Sequence, residues 1–128
     1  MDNNKNEKTI LVIDDKEIIT GALAKKLTGA GFRVLIQRNG EDGLVTALAE
    51  HPDLILLDLI MPRMDGITFL DKLREDVWGK NVPVIVLSNL ESGDKVDVSR
   101  SRGIYDYLVK TNWSLADVLT KVNEALSI

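Results

Sequence analysis

Five polar residues stand directly behind short apolar runs, and their types belong together chemically. Asp14 and Asp15 follow Ile10-Leu11-Val12-Ile13, and Asp58 follows Leu54-Ile55-Leu56-Leu57. Ser88 follows Val84-Ile85-Val86-Leu87, and Lys110 follows Tyr107-Leu108-Val109. A lone acid in such a place ordinarily caps a helix or faces solvent. Three acids joined by a hydroxyl and an ammonium form a set that can bind a cation and a phosphoryl group. Clustered carboxylates repel, and one takes up a proton unless a cation is present. The chain has no cysteine and a single histidine, His51, so a cation held here is hard and oxygen-bound. Mg²⁺ meets that description with one or two carboxylates, water and phosphate oxygens. A carboxylate is also a nucleophile that yields an aspartyl phosphate. Asp58, alone on the third run, is placed for that role. Asp14 and Asp15 are better placed to hold the metal, and Lys110 and Ser88 to bind phosphoryl oxygens.

These residues meet only if the runs are neighbouring strands of one sheet. The first, third and fourth runs are continuously apolar, as in strands buried on both faces of a parallel sheet. A second run, Val34-Leu35-Ile36, is shorter. Helical spacing fills the intervals: Ile18, Ile19, Ala22, Leu23, Leu27 and Ala30, then Leu44, Ala47 and Leu48, then Ile67, Leu70, Leu73 and Val77. The last helix carries Leu115, Val118, Leu119, Val122 and Leu126, with Ser114 as N-cap, Asp117 at N3 and Trp113 as staple. The segment Ser92 to Arg102 has only Val96 and Val98 as apolar residues and reads as a loose helix. Strand–helix alternation predicts an α/β fold with right-handed crossovers. With strand order 2-1-3-4-5, Asp58 lies mid-sheet and the polar set lies on the carboxyl edge, where such sheets bind ligands.

Composition narrows the function classes. The 128 residues make one domain, with 45% apolar residues and a formal net charge of −4. An acidic surface disfavours direct nucleic-acid binding. No apolar run reaches the length of a membrane span and no secretory h-region opens the chain, so the expected location is cytoplasmic. Residues 1–8 read as a polar tail and 9–128 as the domain. His51, before Pro52, reads as structural or solvated, Trp78 as cover for the core edge, and Arg100 with Arg102 as a solvated basic patch. Gly40 and Gly43 do not form a phosphate-binding glycine loop.

The ordered set resembles the receiver domain of two-component response regulators over nearly the whole chain. The features carrying the resemblance are Asp14-Asp15, Leu57-Asp58-Leu59-Ile60-Met61-Pro62, Asp65-Gly66, Ser88 and Lys110. It implies a flavodoxin-like doubly wound (βα)5 fold, with Asp58 as phosphoacceptor. It implies Mg²⁺ on Asp15, Asp58 and the backbone carbonyl of Ile60, with Asp14 assisting through water. It also implies that Ser88 and Tyr107 couple the phosphoryl group to the face made by helix four, strand five and helix five. The implied partners are a sensor histidine kinase or histidine phosphotransfer protein and a downstream protein. Such a domain is a switch, not an enzyme acting on outside substrates, and it stands alone or belongs to a longer regulator.

Departures from the family pattern cluster near the site. Thr111 follows Lys110 where proline is common, and a cis bond is much costlier without proline. Asn89 follows Ser88 where a small residue is common. Ile60 and Leu90 are aliphatic and offer no hydrogen bond to an attacking water, which predicts a long-lived phosphoryl group. A second reading within signalling is a phosphorelay intermediate that passes phosphate to a histidine. A flavodoxin-like cofactor binder shares the fold, but Asp14-Asp15-Lys16-Glu17 carries the wrong charge for a flavin phosphate. A metal-dependent phosphatase would need a lid or substrate domain, and its acids would be spaced by one residue.

Overall fold

The computed structural model describes residues 7–88, 93–109 and 113–127, with the side chains of 93–95 excluded. Five strands form one parallel sheet in the order β2-β1-β3-β4-β5. They are β1 (Thr9–Ile13), β2 (Arg33–Gln37), β3 (Leu54–Leu57), β4 (Val84–Ser88) and β5 (Asp106–Val109). Between and after them lie α1 (Glu17–Gly29), α2 (Gly40–Glu50), α3 (Gly66–Glu75), α4 (Gly93–Ser101) and α5 (Leu115–Ala125). The predicted order and fold class are the observed ones.

The two-residue period of the strands divides the core into two layers. Leu11, Ile13, Ile55, Leu57, Val84 and Val86 face Ala47 of α2 and Phe69, Leu70 and Leu73 of α3. Ile10, Val12, Leu54, Leu56, Ile85 and Leu87 face Leu23 and Leu27 of α1 and Val118 and Val122 of α5. Helices therefore cover both faces, which is why the central strands show no polar alternation.

Individual helix faces differ from the predicted stripes. Ile18 is 87% exposed, and Thr20 takes the buried position with Leu23 and Leu27. The three sit at i, i+3 and i+7, and the Thr20 hydroxyl is satisfied by donating to the Glu17 carbonyl at 3.1 Å. Val77 lies beyond the end of α3 and is 89% exposed, whereas Phe69 fills the core. The expected end of α5 is built as read: Ser114 and Asp117 form a reciprocal capping box. Trp113 packs against the same core layer as Val118. Arg102 stays at the surface, as expected, where its Nε donates to Asp71 Oδ1 at 2.7 Å in an exposed ion pair.

Candidate functional site

Strand register assembles the acids. Ile13 pairs with Leu57, so the residues that follow, Asp14 and Asp58, leave the sheet side by side. Asp58 N–H still donates to the Ile13 carbonyl at 3.0 Å, and Asp14 N–H to the Gln37 carbonyl at 3.1 Å. Their backbones thus belong to the sheet while their side chains reach its carboxyl edge. Asp14 is 3% exposed and Asp58 2%, whereas Asp15 opens to solvent. One oxygen from each of the three carboxylates lies within 4.8 Å of the others.

The loop after β3 is shaped for this site. Asp58 Oδ1 accepts from the Ile60 N–H at 3.3 Å, and the Ile60 side chain points to solvent. Arg63 (φ 60°) and Met64 (φ 136°) turn the chain through a region that side chains rarely enter. Asp65 then caps α3, its Oδ1 accepting from Ile67 N–H at 2.9 Å and Thr68 N–H at 3.0 Å. Partial burial opposes the Asp65 charge, but the Thr68 and Ile67 hydrogen bonds prevail and lower its pKa. Gly66 is required for close approach: a Cβ there would lie 2.7 Å from Leu59 Cα and 2.9 Å from the Asp58 carbonyl oxygen. The Asp65-Gly66 pair therefore starts a helix directly against the backbone that carries Asp58.

Lys16 enters the acid cluster, and no sequence expectation placed it there. Its Nζ donates to Asp58 Oδ2 at 2.9 Å and to Asp15 Oδ1 at 3.0 Å, and lies 3.7 Å from Asp14 Oδ1. Its backbone N–H also donates to Asp14 Oδ1, at 2.9 Å. Desolvation opposes the ammonium charge. The hydrogen bonds to Asp58 and Asp15 and the charges of Asp58 and Asp14 overcome it, and the Lys16 pKa rises. The available signal was adjacency, since Lys16 immediately follows the acid pair.

Ser88 and Tyr107 meet behind Asp58. Val86 is paired with Tyr107, and Ser88, two residues on, lies on the same face of the sheet. The Tyr107 phenol and the Ser88 hydroxyl are hydrogen-bonded. Burial raises the Tyr107 pKa and the Asp58 charge adds to it, while the Ser88 bond pulls the other way. The phenol is therefore protonated at neutral pH. Ser88 is fully buried and the Tyr107 ring nearly so.

Residues 10–123 match the family model described as the response regulator receiver domain. The chain belongs to that family. Response regulator PleD of Caulobacter vibrioides is 38% identical over 102 residues, covering 79% of this chain and 22% of PleD. The receiver domain of Francisella response regulator 1452 superposes with a TM-score of 0.86 at 30% identity, over 94% of this chain and 98% of that one. The complex of CheX and CheY with BeF3 and Mg²⁺ from Borrelia burgdorferi matches with a TM-score of 0.86 at 27% identity, over 98% of this chain and 95% of that one. This receiver domain spans about half or less of the length of its curated relatives.

Of the predicted site residues, the structure brings Asp14, Asp15 and Asp58 together, sets the Ile60 N–H rather than its carbonyl on Asp58, and places Ser88 against Tyr107. Lys110, the Lys110–Thr111 bond, Asn89 and Leu90 lie outside the described residues, as does most of the expected tail. The acid cluster suits Mg²⁺ by its donor chemistry, since every side-chain donor is a carboxylate oxygen and a cationic group of this chain already sits among them. His51 lies at the opposite edge of the sheet, as the C-cap of α2, stacked on Trp78 with ring centroids 4.4 Å apart. Among the described residues no helix is long and apolar enough to cross a membrane.

Proposed function

We propose that this receiver domain accepts a phosphoryl group on Asp58 from a phosphohistidine of a sensor kinase or phosphotransfer protein, or from a small phosphodonor. The observation that carries this reading is the buried Asp58 carboxylate at the carboxyl edge of the central strand, beside two further acids. An Asp58 oxygen forms the new bond to phosphorus as the bond from phosphorus to the leaving group breaks, the imidazole nitrogen of a phosphohistidine or the acyl oxygen of acetyl phosphate, which departs as acetate. Asp14, Asp15, Asp58 and the Ile60 carbonyl would hold Mg²⁺, and Lys110 and Ser88 would bind the transferred oxygens. When bound, Mg²⁺ supplies charge neutralisation for the phosphoryl oxygens. The Ile60 N–H and the sheet hydrogen bond of Asp58 hold the nucleophile's backbone and carboxylate in place.

Phosphorylation adds about −1.5 to −2 charge and three acceptor oxygens beside Ser88. Drawing the Ser88 hydroxyl toward those oxygens takes it from Tyr107, and the freed phenol changes the surface formed by α4, β5 and α5. A downstream protein reads that surface. The domain turns over only its own phosphoryl group, in the cytoplasm, with neither nucleic acid nor membrane as a direct partner. Intact-protein mass after incubation with Mg²⁺ and acetyl phosphate tests this. A phosphoryl adduct that disappears in Asp58→Asn is expected, and an adduct that persists in that variant would overturn it.

A further inference from the structure

We infer that the Lys16 ammonium is a resident counter-ion of the acid cluster, and that a divalent cation must displace it from Asp58 and Asp15 to bind. This rests on the reading of the cluster as the Mg²⁺ site.

The geometry carries it. Lys16 Nζ reaches all three acids, with hydrogen bonds of 2.9 Å to Asp58 and 3.0 Å to Asp15 and an ion pair of 3.7 Å to Asp14. The Asp58 oxygen it engages, Oδ2, is not the one held by the Ile60 N–H, which is Oδ1. Both oxygens of the proposed nucleophile therefore accept hydrogen bonds, and an oxygen so engaged is a poorer nucleophile and metal ligand. Lysine suits a displaceable role. Its ammonium is a compact point charge on a flexible stem, with no planar fork to lock it. The Lys16 side chain is 43% solvent-exposed, so the displaced ammonium can reach water. Its backbone stays where it is, because Lys16 N–H is bonded to Asp14 and its carbonyl accepts from Thr20 N–H in the first turn of α1.

The consequence is a site whose phosphorylation is gated by metal concentration. At low Mg²⁺ one ammonium offsets part of the charge of the three acids and masks Asp58 Oδ2. At high Mg²⁺ the lysine is expelled and Asp58 shares the metal.

Two measurements on the full chain test this, with Lys16→Met and Lys16→Gln compared with wild type. Calorimetric titration with Mg²⁺ is expected to show about tenfold tighter binding in both variants, since they lose a competing charge that is only partly screened. Equal or weaker binding than wild type would overturn displacement. Absence of binding in all three proteins would instead overturn the metal reading beneath it. In metal-free, low-salt buffer, Lys16→Met is expected to melt about 3–5 °C lower than wild type. In an Asp58→Asn background the same substitution should lower the melting temperature by less than half as much. An undiminished fall in that background would show that the ammonium is not neutralising Asp58, and would overturn the counter-ion role without reference to metal.

Discussion

Two cations stand at opposite edges of the sheet, and their surroundings assign them different work. At the carboxyl edge, Lys16 is held by full negative charges on Asp14, Asp15 and Asp58. At the amino edge, Arg74 near the end of α3 is held by neutral carbonyls. Its Nε donates to Arg102 at 2.8 Å, its Nη1 to Gly79 at 2.7 Å and Val82 at 2.8 Å, and its Nη2 to Gly103 at 3.1 Å. Desolvation lowers the Arg74 pKa, but a guanidinium remains charged in proteins. The fork of Arg74 ties the end of α3, the approach to β4 and the turn after α4 into one unit. Carbonyl dipoles arranged around a planar fork make a strut. Carboxylates arranged around a point charge make a site where one cation can replace another.

Breaking the strut should have the largest effect. Arg74→Ala is expected to destabilise the domain by about 2–3 kcal/mol in urea denaturation, through the lost charge-assisted hydrogen bonds and packed stem. Arg74→Lys should recover less than half of that, because an ammonium cannot span the same acceptors. The Mg²⁺ response of Arg74→Ala should match that of wild type, and a lost response would show that the two edges are not independent.

At the other edge, Mg²⁺ at ten times its dissociation constant should stabilise the wild type by about 1.4 kcal/mol. Asp15→Ala should lose most of that gain, read as a melting-temperature shift with and without metal. An intact shift in the variant would place the metal elsewhere.

Asp65 lies between these extremes, a carboxylate held by backbone donors. Asp65→Ala is expected to cost about 1 kcal/mol at neutral pH as a lost N-cap. The folded Asp65 pKa is lowered, so its contribution is complete above the unfolded value and is lost as pH falls through the folded one. The gap in stability between wild type and variant should therefore be full at pH 6 and should narrow below about pH 4. A gap independent of pH would assign the loss to something other than the charged cap.

The smallest effect concerns the tie beside the strut. Arg102→Ala removes an exposed ion pair with Asp71 and should leave the melting temperature nearly unchanged. Amide exchange should quicken in α4, which has Val96 packed on the core and few other anchors. Faster exchange in α1 than in α4 would contradict the view of α4 as the weakly held helix.

Much of this site was legible because local signals and global topology agree. Apolar runs ending in acids marked the strands and their carboxyl ends, and in-register parallel pairing does the rest by bringing residue 14 beside residue 58. Helix faces were legible only in part. Thr20 is buried where Ile18 was expected, since a threonine can satisfy its hydroxyl on its own helix and then behaves as a core residue. The α3 stripe takes in Phe69, four residues before Leu73, and leaves out Val77 because the helix ends at Glu75, before the apolar spacing does.

From the chain alone follow the strand–helix alternation, the strand-end acids and the all-oxygen chemistry of that acid set, since residue type, period and the absence of cysteine are local or compositional properties. The destinations of Lys16 and Arg74 are of another kind. The partners Asp58 and Arg102 lie 42 and 28 residues away along the chain. Long, flexible cationic side chains have no period that announces such partners. Only the packed sheet and helices, by bringing distant oxygens within about 3 Å of each cation, decide that one enters the candidate site and the other braces the far edge.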